Sequence, residues 1–311
     1  MAKYNPTITR NQCQLIANLA VSGSRSDVAD AIAELIAKIP ADKTGKGTWH
    51  HYLVRLENWL RNGGKLPHSI FAVGNSKLPF VSFSVLPGVT CPGAGDCLKW
   101  CYSFRAWRYP AAFCRQVQNT ILMQDERSAI VNAFRACVAK HARKQRKLPQ
   151  DDRQKLRIRL YVDGDFSSTT DIDFWFRLLN TTPGVLAYGY SKSWQLIRDY
   201  VEAGGVLPGN YKLNLSAGSI HDNDAELKTW LKTLSIFRGE FVGVELSGDY
   251  GKGFARFKNP GLHKEVRSLL KEQYPGQPTF SCPGQCGTCT KSEHACGSER
   301  FVNVVIGIGI H

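Results

Sequence analysis

No apolar run in this 311-residue chain is long enough to span a bilayer, and its opening, Met1-Ala-Lys-Tyr-Asn-Pro6, lacks the apolar stretch of an export signal. Those absences argue against a membrane protein and against a secreted disulfide framework. They point to a cytoplasmic protein whose thiols stay reduced. Acidic residues are scarce as well: 26 Asp and Glu stand against 40 Lys and Arg, a formal net charge of +14. Such an excess suits a polyanionic partner, nucleic acid before others, although it also serves plain solubility. The densest stretch is His141-Ala-Arg-Lys-Gln-Arg-Lys147, followed by Arg153, Lys155, Arg157 and Arg159. The same run reads equally as the solvated end of a helix, where cations suit the negative end of the dipole.

The chain divides by texture near residue 70. Residues 1–70 read as a helical N-terminal region. One helix is expected from a cap at Asp27 through Ile39, with Val28, Ala31, Ile32, Leu35 and Ile36 on its apolar face. A second is expected over Thr48–Arg61, stopped by Asn62-Gly63-Gly64. His50 and His51 on it read as packing or surface residues. Over residues 71–311, short β-rich runs alternate with helical stretches. The runs are Phe80–Leu86, Arg157–Val162, Val185–Tyr190, Tyr211–Leu215, Phe241–Leu246 and Val302–Ile308. The expected helices cover about Ala112–Lys144, Thr170–Asn180, Ser193–Ala203, Asp222–Leu234 and Gly261–Tyr274. Alternation of this kind predicts parallel strands with right-handed crossovers. The expected fold is therefore α/β, a partial (β/α)6 barrel-like sheet with the helical appendage; a doubly wound sheet is the alternative. The polar and Gly-rich run ends would gather at the carboxyl edge of the sheet, where α/β proteins build their sites.

What the chain has in concentration is cysteine. Of its ten, Cys91, Cys97 and Cys101 form one group, and Cys282, Cys286, Cys289 and Cys296 another. Thiolates at such short spacing on Gly/Pro-rich backbone suit one soft metal, zinc or an iron–sulfur cluster. The early group, Cys-x5-Cys-x3-Cys, supplies three ligands and leaves a position open. The late group, Cys-x3-Cys-x2-Cys-x6-Cys, supplies a closed set of four, with His294 able to replace Cys296. The two groups read equally as one shared site. Cys13, Cys114 and Cys137 are solitary; Cys114 and Cys137 read as packed helix cysteines, with Cys114 close enough to Cys101 to serve as a fourth ligand.

Around the early group, Asp163 and Asp165 flank Gly164 and should point to opposite sides of a strand end. Asp163 reads as a pocket carboxylate. Asp165 reads as a pocket carboxylate or, with Ser167 or Ser168, as a helix cap. Lys192 would hold an anion at a helix N-terminus, with Ser193 as a plain cap. Asn214 and Ser216 end the next run and would line the same mouth. The segment Phe104-Arg105-Ala106-Trp107-Arg108-Tyr109 interleaves aromatics with arginines, a pattern that stacks bases and neutralises phosphates, or simply packs around the cysteines.

Three cysteines after the first strand, with Trp100 before Cys101, resemble the loop in which radical S-adenosylmethionine enzymes hold an open [4Fe–4S] cluster. Their usual spacing is Cys-x3-Cys-x2-Cys, so this chain departs from it. Val162-Asp163-Gly164-Asp165-Phe166 stands where those enzymes bind the methionine amine. Together, LPGVTCPGAGDCLKWCYSFRAWRYPAAFC, VDGDFSS, YGYSKSW and the late CGTC resemble the phage- and plasmid-borne gene-product-eighty-eight family over roughly residues 75–300, with the first seventy residues outside. That resemblance implies a mobile-element protein with a cysteine-bound centre. The expected function is a radical-S-adenosylmethionine-like enzyme modifying nucleic acid. The alternatives are a non-catalytic metal-stabilised nucleic-acid-binding protein and an accessory factor acting on a host protein.

Overall fold

In the computed structural model, which describes residues 7–74, 78–251, 253–286, 289 and 295–310, every strand pairs in parallel with its neighbour. The strands are β1 (Val81–Ser82), β2 (Leu156–Arg159), β3 (Val185–Ser191), β4 (Tyr211–Ser216), β5 (Phe237–Glu245), β6 (Thr279–Ser281) and β7 (Val304–Ile310). Their order in the sheet is β1-β2-β3-β4-β5-β7-β6. The expected α/β fold is present, with one strand more than the six runs suggested. The added strand is β6, three residues after Pro278, too short for alternation to register.

The N-terminal helices are α1 (Arg10–Ser22), α2 (Arg25–Ala37) and α3 (Trp49–Asn62). Ser24, not Asp27, caps α2; Asp27 sits three residues in and closes a capping box. The helices after β1 are α4 (Cys97–Trp100), α5 (Pro110–Asp125) and α6 (Arg127–Gln145). The single helix expected over 112–144 is broken at Glu126, whose φ of −144° leaves the helical region. Arg25 holds that break, pairing with Asp125 at 2.9 Å and Glu126 at 3.0 Å. Further on, α7 (Thr169–Asn180), α8 (Trp194–Glu202), α9 (Ala225–Lys232) and α10 (Pro260–Gln273) alternate with strands as anticipated. β2 ends earlier than expected because Tyr161 adopts a φ of +53° and turns the chain.

One face of the sheet carries the helices. Leu156, Ile158 and Leu160, Val185 and Ala187, and Tyr211, Leu213 and Leu215 face them in a core that continues into α1–α3. Aromatic rings dominate it; Phe83 meets Trp175 edge-on at 4.9 Å, a preferred geometry. α10 covers the rest through Leu262, Val266 and Leu270 against Val242, Val244 and Val305.

The other face is covered differently. Parallel neighbours β6 and β7 need a crossover that returns the chain to the same end. Here the crossover carries the late cysteines. Its described 3-10 turn, Ala295–Gly297, packs with Tyr188, Val304 and Ile306, beside Tyr190 and Phe241.

A candidate thiolate centre at the carboxyl edge

The loop after β1 is fastened to the far ends of β3 and β4. Ala94 and Ser219 form an antiparallel bridge. Gly95 donates to the Gly218 carbonyl at 2.9 Å and Ile220 to the Gly93 carbonyl at 3.0 Å. Ser219 Oγ donates to the carbonyls of Gly93 and Lys192, each at 3.0 Å. Glycine is required at this clasp. A Cβ on Gly93 would collide with the Lys192 carbonyl, and one on Gly218, where φ is +84°, would lie 2.7 Å from Cys97 Cβ.

This fastening sets Cys91 and Cys97 near Lys192, with Cys101 within electrostatic reach of both. Burial pushes the Cys91 thiol up to about 12; neighbouring Asp165 and Cys101 push the same way, and Lys192 pulls it back. Cys97, nearly buried, is raised by burial too, against the nearby Lys192 ammonium. Lys192 donates from Nζ to Ser216 Oγ at 2.7 Å. Thus Lys192 and Ser216 do lie beside the early cysteines.

The two aspartates divide their work. Asp163 Oδ2 accepts from Gln116 Nε2 at 2.9 Å, and Gln116 Oε1 in turn accepts from Trp107 Nε1 at 3.0 Å. Burial raises the Asp163 carboxyl above its ordinary range. Asp165 is 4% exposed, with Oδ1 accepting from the Phe166 N–H at 2.8 Å and Oδ2 from the Lys192 N–H at 2.6 Å. It ties β2 to β3 and is not a helix cap; Ser168 caps α7 through the Asp171 N–H. Ser193, expected as a cap, spends its hydroxyl on the Phe166 carbonyl at 2.7 Å. Gly164, at φ +82°, turns beneath the early loop, facing Val85 and Thr90.

Asn214 does not open onto this mouth. It is wholly buried, and its Nδ2 donates to the carbonyls of Gly189 at 3.1 Å and Cys296 at 3.0 Å. It pins the late crossover onto the sheet.

The late cysteines lie against the inner face of the sheet. Cys282 Sγ accepts from the Gly284 N–H at 3.4 Å and Cys289 Sγ from the Ala295 N–H at 3.2 Å. Backbone N–H groups aimed at sulfur favour the thiolate. Burial pushes Cys282 up to about 12 and raises Cys286 and Cys296 as well. Arg159 opposes the shift at Cys282 and Cys286, and Arg238 does so at Cys296. Tyr188 and Tyr190 face Cys286 and Cys296. Arg159 lies over the Tyr190 ring at 4.6 Å and donates to Tyr102 Oη at 3.3 Å. Arg238 donates from Nε to the Ala295 carbonyl at 2.8 Å. Sequence reasoning gives neither arginine this place; the period-two placement of Arg157 and Arg159 on β2 is the available signal.

Among the described residues, no three His, Cys, Asp or Glu side chains are grouped tightly enough to hold a metal ion. The donor set itself suits a thiophilic metal: seven reduced thiols, N–H groups directed at two of the sulfurs, and cations nearby. His294 lies outside the described residues. Cys114 is a core residue, fully buried beside Cys13 of α1, and not a ligand candidate. Cys137 is half-buried against the same core.

The aromatic–arginine segment splits. Trp107 is core, whereas Trp100, Tyr102 and Tyr109 are exposed together with Lys99, Arg105 and Arg108. This surface borders the early cysteines. The basic run ends α6 and leads into β2, which puts it at the opposite, amino edge of the sheet.

No helix among the described residues is long and apolar enough to cross a membrane. Comparison with curated proteins and with solved structures gives no match. The family model described as Gene product 88 matches residues 41–240. The match takes in α3, which the motif resemblance leaves outside, and stops before the late cysteines. It spans the early cysteine loop, both aspartates, Lys192 and the clasp at Gly218, and on that extent the chain belongs to the Gene product 88 family.

Proposed function

We propose that this chain is a thiolate-bound metalloprotein that acts on single-stranded nucleic acid at the carboxyl edge of its sheet. In this reading Cys91, Cys97 and Cys101 hold an open [4Fe–4S] centre. Cys282, Cys286, Cys289 and Cys296 hold a closed centre, iron–sulfur or zinc. The observation that carries the reading is the clasp at Gly93 and Gly218, which draws three thiols and the Lys192 ammonium onto one strand-end surface. An open cluster position supplies one-electron chemistry when S-adenosylmethionine binds there, as in the enzymes that the early loop resembles.

The chain's own groups take the remaining roles. Lys192, whose Nζ donates to the Ser216 hydroxyl at 2.7 Å, attracts an anionic group to the mouth. Asp163, its carboxyl raised by burial, accepts a proton from bound substrate. Asp165 and Asn214 position the early and late loops. Trp100, Tyr102 and Tyr109 stack bases while Lys99, Arg105 and Arg108 meet phosphates. Anaerobic purification from iron-replete cells, with iron, sulfide and zinc analysis, tests the reading. Iron and sulfide are expected, with Cys97→Ala losing the early share and staying soluble. Zinc-only or metal-free protein sinks it.

A second reading is favoured by exposure of Arg143, Lys144, Arg146, Lys147, Arg153 and Lys155 at the amino edge. It makes the chain a non-catalytic, metal-stabilised nucleic-acid-binding protein. Salt-sensitive binding without any turnover of S-adenosylmethionine would select it.

A further inference from the structure

We propose that Arg115, His68 and Arg55 form a binding site for a small oxyanion of the phosphate class, seated between α3, the turn at Pro67-His68 and α5. The site is separate from the cysteine centre and stands whether or not metal is bound.

Buried ring and guanidinium nitrogens collect here without partners. His68 is 8% exposed, and its Nε2 is buried with no hydrogen-bond partner. Arg115, on α5, buries Nε with none. Trp49, at the start of α3 and 5% exposed, buries its Nε1–H with none either. Its ring packs on Phe113 of α5 at 5.7 Å. Buried polar groups are ordinarily paired, so orphaned nitrogens on α3, on α5 and on the turn at His68 ask for a missing partner.

The place is held firmly. Gln118 clamps the His68 backbone, accepting from its N–H at 3.0 Å and donating to its carbonyl at 3.1 Å. The His68 ring stacks on Tyr52 at 5.5 Å. His51 meets Tyr52 edge-on at 5.3 Å. Arg55 is fixed by donating to the Pro67 carbonyl.

The charge is of one sign. The groups acting on His68 are Arg55 and His51 from α3 and Arg115 from α5, and all of them oppose its protonation, after burial itself. Arg115 is disfavoured as a cation by burial, relieved only by Tyr52. Among the described residues no carboxylate pairs with Arg55 or Arg115; the neighbouring Glu57 is taken by Arg61. Two guanidiniums within electrostatic reach of a buried imidazole match a tetrahedral dianion, which accepts several charge-assisted hydrogen bonds at once. Arg55, exposed, marks the entrance.

The test is titration of the full chain with sodium phosphate at pH 7, by calorimetry and thermal melting, against sodium chloride at equal ionic strength. Phosphate should raise the melting temperature where chloride does not. Arg55→Gln lies on the surface and should fold; it should weaken phosphate binding about tenfold, the scale of one charge-assisted bond. Arg115→Met should abolish binding. If that variant fails to fold, Arg55→Gln decides alone. A parallel titration with adenosine 5′-monophosphate distinguishes sources: equal affinity identifies a phosphomonoester and weaker affinity the free ion, and both uphold the site. A phosphate response no larger than chloride's, or wild-type affinity in Arg55→Gln, overturns the proposal.

Discussion

The Asn214 amide on β4 donates to the Cys296 carbonyl at 3.0 Å, joining the middle of the sheet to a residue 82 positions later. The same Nδ2 also reaches the Gly189 carbonyl on β3. Asn214→Ala therefore strands two buried acceptors. The expected loss is about 1–3 kcal/mol of stability for the carbonyls left unpaired. Denaturant unfolding checks the loss. Metal analysis should show it falling first on the late centre, because the crossover that carries Cys296 is what comes loose. Unchanged stability together with unchanged metal would mean that the crossover does not depend on Asn214.

Gly218→Ala attacks the early loop without touching a cysteine. An alanine there is strained at φ +84°, and its methyl group meets Cys97 Cβ at 2.7 Å. A non-glycine residue in the left-handed region costs roughly 1–3 kcal/mol. The variant should melt earlier and lose the early share of metal, while Cys282, Cys286, Cys289 and Cys296 keep theirs. Wild-type metal content in a folded Gly218→Ala protein would show that the clasp does not gather the thiols.

Much of this is legible in the sequence, and the limits have physical causes. Runs such as Val185–Tyr190 and Val302–Ile308 are long and rich in β-branched or aromatic residues, so they declare themselves as strands. Their polar ends, Asp163, Asp165, Lys192 and Ser216, do gather at the carboxyl edge, because strand-to-helix turns in a parallel sheet all emerge there. The sequence is silent on direction within that edge. Asp165 and Asn214 carry the same chemistry as pocket residues, and only the chain partners Lys192 and Cys296 reveal them as fasteners. Arg159 and Arg238 escape for a related reason. A charge on a strand looks solvent-facing until the crossover between β6 and β7 is known to cover that face. β6 itself is three residues long and offers no period to detect.

His68 should make stability depend on pH. Burial, then Arg55 and Arg115, lower its pKa from 6.5 to about 4 in the folded chain. Between those values the unfolded chain binds a proton that the folded chain refuses. Stability is therefore full above about pH 6.5, falls as pH drops through that window, and is flat with respect to this group below pH 4. The largest possible effect is about 3 kcal/mol, at roughly 1.36 kcal/mol per unit. His68→Gln should flatten the slope between pH 4 and 6.5, measured as urea midpoints. Saturating sulfate, which does not titrate there, should shrink the wild-type slope by favouring the charged ring. A wild-type slope identical to that of His68→Gln would refute a neutral buried imidazole.

The two basic surfaces make opposite demands on a nucleic-acid partner, and that contrast can be measured. At the amino edge, Arg143, Lys144, Arg146 and Lys147 are exposed at the end of α6 with no aromatic side chain among them. They can contribute only phosphate pairing. Reversing all four to glutamate should weaken binding for every sequence alike and flatten the dependence of log affinity on log salt, by about 0.7 for each single-strand phosphate no longer neutralised. At the carboxyl edge, Trp100 and Tyr109 are 51% and 65% exposed beside Arg105 and Arg108. Base stacking there is worth about 1–3 kcal/mol per base. The double variant Trp100→Ala, Tyr109→Ala should weaken single-strand binding about tenfold or more while leaving the salt slope where it was. Its fold should persist, since neither ring belongs to the core. If the aromatic variant binds single strands as tightly as the parent while the charge reversal abolishes binding, the partner sits at the amino edge, away from the cysteines. The chain would then be a binding protein and not an enzyme on nucleic acid. If the aromatic variant alone loses affinity, the strand lies across the early cysteine loop, within reach of Lys192 and Asp163.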